Sequence, residues 1–327
     1  MELKVAEAPI VGLQYLAYPL NVLLNYDEYR AWYYNNYIQI LCNSAGWYSL
    51  RFFIGCNYEI PVLRCQALEK TTFVKMNCDI IRVIVDALND GWYVTSNFDE
   101  YYLPNREAFK VKHFEHDFMI YGCNQQEESF SLLGYSNKGL FEKTKISFLS
   151  FEKAFYSQTY DENATFVLFK KRDNLIPEFD INVVKDFLYD YVYSQNTYER
   201  LRTLIRLDGP DDIFGMDTYQ YLRNYYNDVA ELKDEMGIHN IRDIHIFWEH
   251  KKCLLERIEY LYNKKILQNA ECINRYKVIE REISNVRNFH MKYSITGEKY
   301  ILTDIIAALN KTEQKEREIL ENVLKEI

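Results

Sequence analysis

The apolar positions change period several times before residue 178 and settle into one period after it. Residues 19–42, PLNVLLNYDEYRAWYYNNYIQILC, predict two short helices or a helix and a turn, with Pro19 at a first helical position. WYSLRFFIG at 47–55 and YEIPVLRC at 58–65 are short β-rich runs. Gly55 closes the first, and Pro61 makes the second an edge strand or a bend. Residues 78–88, CDIIRVIVDAL, have the spacing of an amphipathic helix that Asn89-Asp90-Gly91 stops. WYVTSNF (92–98) then predicts a strand, DEYYLPN (99–105) a loop, and FKVKHFEHDFMIYG (109–122) a long strand. A polar turn at 124–128 returns the chain through SFSLLGYS as a hairpin. KTKISFLSFEKAFYS starts extended and ends helical, and ATFVLFKKR is a further strand.

From 178 onward five segments show helical periodicity with mixed charge, and the Gly209-Pro210 turn separates the first from the rest. The expected class is therefore α+β: a domain over 1–177 with a mostly antiparallel sheet, and a helical subdomain over 178–327 packing on it.

With 327 residues, 48% of them hydrophobic, the chain can bury one large core or two ordinary ones. Its 29 Tyr and 19 Phe against 11 Gly and 6 Pro suit half-buried core edges, or a pocket lined with aromatic rings. A net charge of −9 with no basic run argues against a nucleic-acid partner. No apolar run approaches the length of a membrane span and the first residues lack a basic leader, so a cytoplasmic protein with no membrane partner is expected. Seven widely spaced cysteines without a CxxC point to reduced, buried thiols and not to a disulfide framework or a zinc site. Glycine-rich phosphate loops, HExxH and EF-hand spacings do not occur, so no metal and no cofactor is expected.

Histidine is scarce, at six residues, which makes the pair His113 and His116 conspicuous. His116 opens the apolar run HDFMIYG, where a rigid strand can carry a general base at the edge of a cleft. Asp99 precedes it as a candidate catalytic carboxylate for His116, with Tyr101 and Tyr102 as candidate substrate contacts, in a polar, aromatic loop of the kind that carries function, or that an Asx turn simply fixes before Pro104. Trp32 and Asn36, in the cluster WYYNNY, are candidates for contact with polar groups of a ligand, as is His113. On the segment IFWEHKKC, His250 either points at a cleft or has a solvated or capping role.

The order of GWYV, DEYYLP, HFEHDFMIYG, a hairpin and GYSNKG resembles the papain-like N-terminal domain of butirosin biosynthesis protein H and its relatives. The likeness covers residues 75–156, and FWEHKKCLLERIEYL is similar to the tails of those relatives. The resemblance implies an amide-forming acyl transfer from a carrier-protein thioester to a small-molecule amine, with His116 as the histidine and Asn137 as the residue that orients it. A papain-like nucleophile belongs near the start of the first core helix, yet no cysteine precedes Cys42. Cys42 falls at the predicted end of a helix, where the dipole raises a thiol pKa, and Cys78 opens a helix elsewhere in the fold. Three routes stay open: a cysteine from elsewhere reaches the site, the amine attacks the thioester directly with His116 as base, or the site only binds a peptide-like metabolite or carrier protein. A cysteine peptidase or amidase is a further class, and it needs the missing nucleophile.

Overall fold

The computed structural model describes residues 1–43, 50–54, 60–157, 164–201, 209, 211–231 and 241–327. The expectations for Trp47 to Ser49, Gly55, Cys56, Tyr58, Glu59, Pro210, the stretch 232–237 and His239 lie outside the described residues. The chain forms two compact units, one of Met1–Arg30 with Cys56–Pro177 and the other of Ala31–Gly55 with Glu178–Ile327.

In the first unit, helix α1 (Gln14–Leu23) carries Pro19 inside it and not at its first position. Arg30 opens helix α2 (Arg30–Asn35), most of which belongs to the second unit together with strands β1 (Ile40–Asn43) and β2 (Leu50–Phe52). The run YIQILC thus ends as strand where helix was expected: Tyr37 turns at φ 58, and Ile40, Leu41 and Cys42 pair with β2. Strand β3 (Leu63–Glu69) follows Pro61 and takes the sheet edge, where a proline just upstream removes no ladder bond. Helices α3 (Lys70–Lys75) and α4 (Ile80–Asn89) come next, and the Asp79 carboxylate caps α4 by accepting from the Arg82 N–H.

Strands β4 (Tyr93–Asp99), β5 (Glu115–Asn124), β6 (Ser129–Tyr135) and β7 (Phe141–Ser147) run into helix α5 (Phe148–Phe155), and strand β8 (Thr165–Lys171) returns to the sheet. All six strands pair antiparallel in the order β3-β8-β4-β5-β6-β7. Successive side chains of a strand face opposite ways, and the sheet uses both faces. Val94, Phe98, Phe118, Ile120 and Phe166 bury against Ile84 and Leu88 of α4 and Phe151 and Phe155 of α5. The alternate positions Thr95, Asn97, Asp117, Val167 and Phe169 face Tyr15, Tyr18 and Pro19 of α1 across a cavity.

The second unit is mainly helical, with α6 (Ile181–Val192), α7 (Thr197–Arg200), α8 (Thr218–Glu231), α9 (Arg242–Asn263), α10 (Glu271–Thr296) and α11 (Tyr300–Glu326). It also holds a three-stranded sheet in which β9 (Asp212–Phe214) pairs with β1, an addition that helical periodicity cannot signal. The protein is α+β, with antiparallel sheets and a C-terminal helical region. Among the described residues no helix is long and apolar enough to cross a membrane.

Candidate functional site

The end of strand β4 and the turn that follows it deliver two consecutive carboxylates, Asp99 and Glu100, and each meets a different histidine. Asp99 is fully buried and accepts hydrogen bonds from Ser157 Oγ at 2.6 Å, His113 Nδ1 at 2.6 Å, and the N–H groups of Tyr101 (3.1 Å) and Phe114 (3.3 Å). Burial alone would raise its pKa, but the bonds from Ser157, His113 and the backbone outweigh it and hold the carboxyl below its ordinary value. With Nδ1–H committed to Asp99, the lone pair of His113 sits on Nε2, on a side chain 45% exposed. Tyr101 stacks on that ring at 4.4 Å, and Tyr102 lies 6.0 Å from it. Asp99, Tyr101, Tyr102 and His113 therefore form one cluster, with the carboxylate on His113 and not on His116.

His116 stands opposite Phe98 in the β4–β5 register. Its Nδ1 lies 3.4 Å from Glu100 Oε1, and its Nε2 lies 3.4 Å from Gln14 Nε2 and 3.9 Å from Asp117 Oδ1. Gln14 Oε1 accepts from the Tyr135 N–H, which turns the amide N–H groups toward Asp117 Oδ1 (2.6 Å) and His116. His116 Nε2 is then the accepting nitrogen, and Nδ1 faces the carboxylate of Glu100. Burial pushes the Asp117 carboxyl above its ordinary value, against the opposing pull of His116, Gln14 and Arg106. The Arg106 guanidinium is buried over the Phe118 ring at 5.5 Å, and its two amino nitrogens have no hydrogen-bond partner among the described residues.

Asn137 does not join this group. It is exposed in the β6–β7 turn, and its recorded hydrogen bond is from its own N–H to the Asn105 carbonyl oxygen. Gln14 and Glu100 hold the ring that Asn137 was expected to orient. Trp32 and Asn36 belong to the second unit, where the Asn36 amide donates to the Trp32 carbonyl 2.8 Å away and so closes its own helical turn. Arg257 fastens the same segment by donating to the carbonyls of Tyr34 (2.8 Å) and Tyr33 (3.2 Å). His250 is buried, not solvated: its Nε2 donates to the Ile38 carbonyl at 2.7 Å, and burial holds its pKa well below the ordinary value.

Among the described residues no cysteine makes a hydrogen bond with the His116 ring. Cys42 is a buried strand residue whose thiol is pushed up by desolvation, with no helix end involved. Cys253 is buried in α9 and pushed up to about 12 by the same cause. Cys78 is half-buried just ahead of α4, and Cys65 of β3 lines the cavity under α1. Among the described residues no group of three or more His, Cys, Asp or Glu side chains could hold a metal ion.

The sequence offered a signal for two of the unforeseen members, since Glu100 adjoins Asp99 and Asp117 adjoins His116. Gln14 gave none: it reaches His116 across 102 positions, a distance only the packed fold closes. No family model matches the chain, and no curated protein matches it.

Proposed function

We propose that this protein forms an amide by transferring an acyl or peptidyl group from a carrier-protein thioester to an amine, with His116 as general base. The observation that carries this reading is the setting of the His116 ring, with Glu100 at Nδ1 and the accepting Nε2 beside Asp117. The contacts to Nε2 are long, so an incoming amine nitrogen can take their place. As that nitrogen attacks the thioester carbonyl, Nε2 accepts its proton. The carbon–sulfur bond then breaks, and the proton passes to the departing thiolate, leaving amide and thiol. A thioester is already activated, so this direct route requires no acyl-enzyme. The resemblance of residues 75–156 to the papain-like assembly-line domains supplies the carrier protein as the acyl donor. Among the described residues the cysteines are thiols outside any disulfide, which suits a cytoplasmic enzyme.

A second reading, a non-catalytic protein that binds a peptide-like metabolite or carrier, is favoured by one specific feature. Asn137, the residue that would complete a papain-like site, stands apart from His116. Incubation with an acyl-loaded carrier and a panel of amines, followed by mass spectrometry, separates the two. Amide product with no acyl mass on the protein supports direct transfer. Carrier binding without product selects the second reading.

A further inference from the structure

The cavity beneath α1 has a chemistry of its own. Its volume is about 190 Å³. An apolar cavity of roughly 150 Å³ admits benzene, so this one has room for a molecule of about six to eight heavy atoms. Tyr15, Tyr18 and Phe169 supply aromatic wall, and Asp117 supplies a carboxylate. Asn97 also lines it and is exposed, although β4 is an inner strand of the sheet, so the cavity has a polar margin open to solvent.

Asp117 is the residue that sets the ligand's sign. Its carboxylate accepts from the Gln14 amide and approaches His116; the Arg106 guanidinium attracts it from beyond ion-pair distance, and among the described residues no lysine or arginine forms an ion pair with it. Tyr18 donates to the Asp117 backbone carbonyl (3.2 Å), which anchors its ring in the cavity wall close to Asp117. Burial raises the carboxyl's pKa, as expected of a charge whose surroundings leave it under-compensated. A carboxylate next to aromatic faces attracts an ammonium group on two counts, by charge pairing and by the negative faces of the rings. An anion meets repulsion from the carboxylate in the same place. A neutral molecule of the same shape gains only the apolar contact.

We infer that the cavity under α1 is a binding site for a small primary amine with an aromatic or short aliphatic body, its ammonium group paired with Asp117. The inference deepens the proposed transfer by naming the class of the acyl acceptor: the bound ammonium first yields one proton to the Asp117 carboxylate, and the neutral amine then gives a second to His116 Nε2 as it attacks. It rests on that reading for the amine's role, and on the cavity alone for its binding.

Calorimetric titration of the intact protein at pH 7 with benzylamine, benzyl alcohol and benzoate tests it without any turnover. Benzylamine should bind at least tenfold more tightly than benzyl alcohol, with benzoate weakest. Asp117→Asn should erase the preference for benzylamine while leaving benzyl alcohol unchanged. Backbone amide shifts on adding benzylamine should centre on α1, β4 and β8. Equal affinity for amine and alcohol, no saturable benzylamine binding, or shifts centred elsewhere would each overturn the assignment. The wild-type ligand series decides the matter even if the variant fails to fold. Failure here with amide product still formed would sink the cavity assignment alone. Benzylamine binding with no amide product from any acyl donor would leave the cavity and sink the transfer.

Discussion

Asp99 and Asp117 lie eighteen residues apart and are shifted in opposite directions, which gives them opposite effects on stability with pH. Asp99 is held low, so the stability it contributes is complete above the carboxylate range of the unfolded chain, near 3.9. It is lost as pH falls through the lower folded value. Asp99→Asn should lower stability to urea by about 1–3 kcal/mol at pH 7, because a buried amide hydrogen then faces another donor. The deficit should shrink as the wild type is titrated below pH 3. Asp117 is held high, so its contribution is present at acid pH and lost as pH rises through the folded value. Asp117→Asn keeps an acceptor for Gln14, and it should raise the urea midpoint at pH 7 and leave it unchanged at pH 3. The sequence displayed these residues but not their pairing. A carboxylate beside a histidine in the chain suggests a partner, yet the β4–β5 register and the turn after Asp99 send Asp99 to His113 and Glu100 to His116.

At the scale of elements, α4, β4, β6, α5 and β8 were legible because their hydrophobic period and capping residues agree. The strand expected over 109–122 instead begins at Glu115. Lys110 adopts a φ of 55, a left-handed conformation that breaks an extended run and that composition does not announce. That turn matters for the site, since it carries His113 back to Asp99. In the second unit, Gly215 holds the junction after β9 at φ +57. An added Cβ there would collide with the backbone carbonyl oxygen of Tyr191 at the end of α6. Gly215→Ala should therefore cost more than about 1 kcal/mol, read as a lower thermal midpoint, because strain and collision act together.

On the scale of the whole molecule, the helical unit explains part of the tyrosine excess. Lys251 and Glu316 are both fully buried, 2.9 Å apart, and Tyr191, Tyr219 and Tyr276 all donate to that carboxylate. Lys251 also lies over the Phe247 ring at 3.9 Å. Helical spacing does not single out Lys251, since nothing in it shows that α6, α8, α10 and α11 converge there. Burial lowers its pKa to about 8, against the pull of Glu316. The unfolded chain binds this proton more readily between pH 8 and about 10.4, so its titration makes the unit more stable across that window as pH rises. Lys251→Met should remove that rise and cost about 3–5 kcal/mol at pH 7 by leaving the carboxylate buried without its cation. Hydrogen exchange in α9 and α11 would report both effects.

The claim that joins these scales is that His116 accepts a proton during amide formation, and a single-turnover rate tests it most directly. With acyl-loaded carrier and saturating benzylamine, His116→Ala should slow amide formation by about 10²–10⁴-fold while benzylamine affinity stays within threefold of wild type. An unchanged rate in that variant would contradict the account.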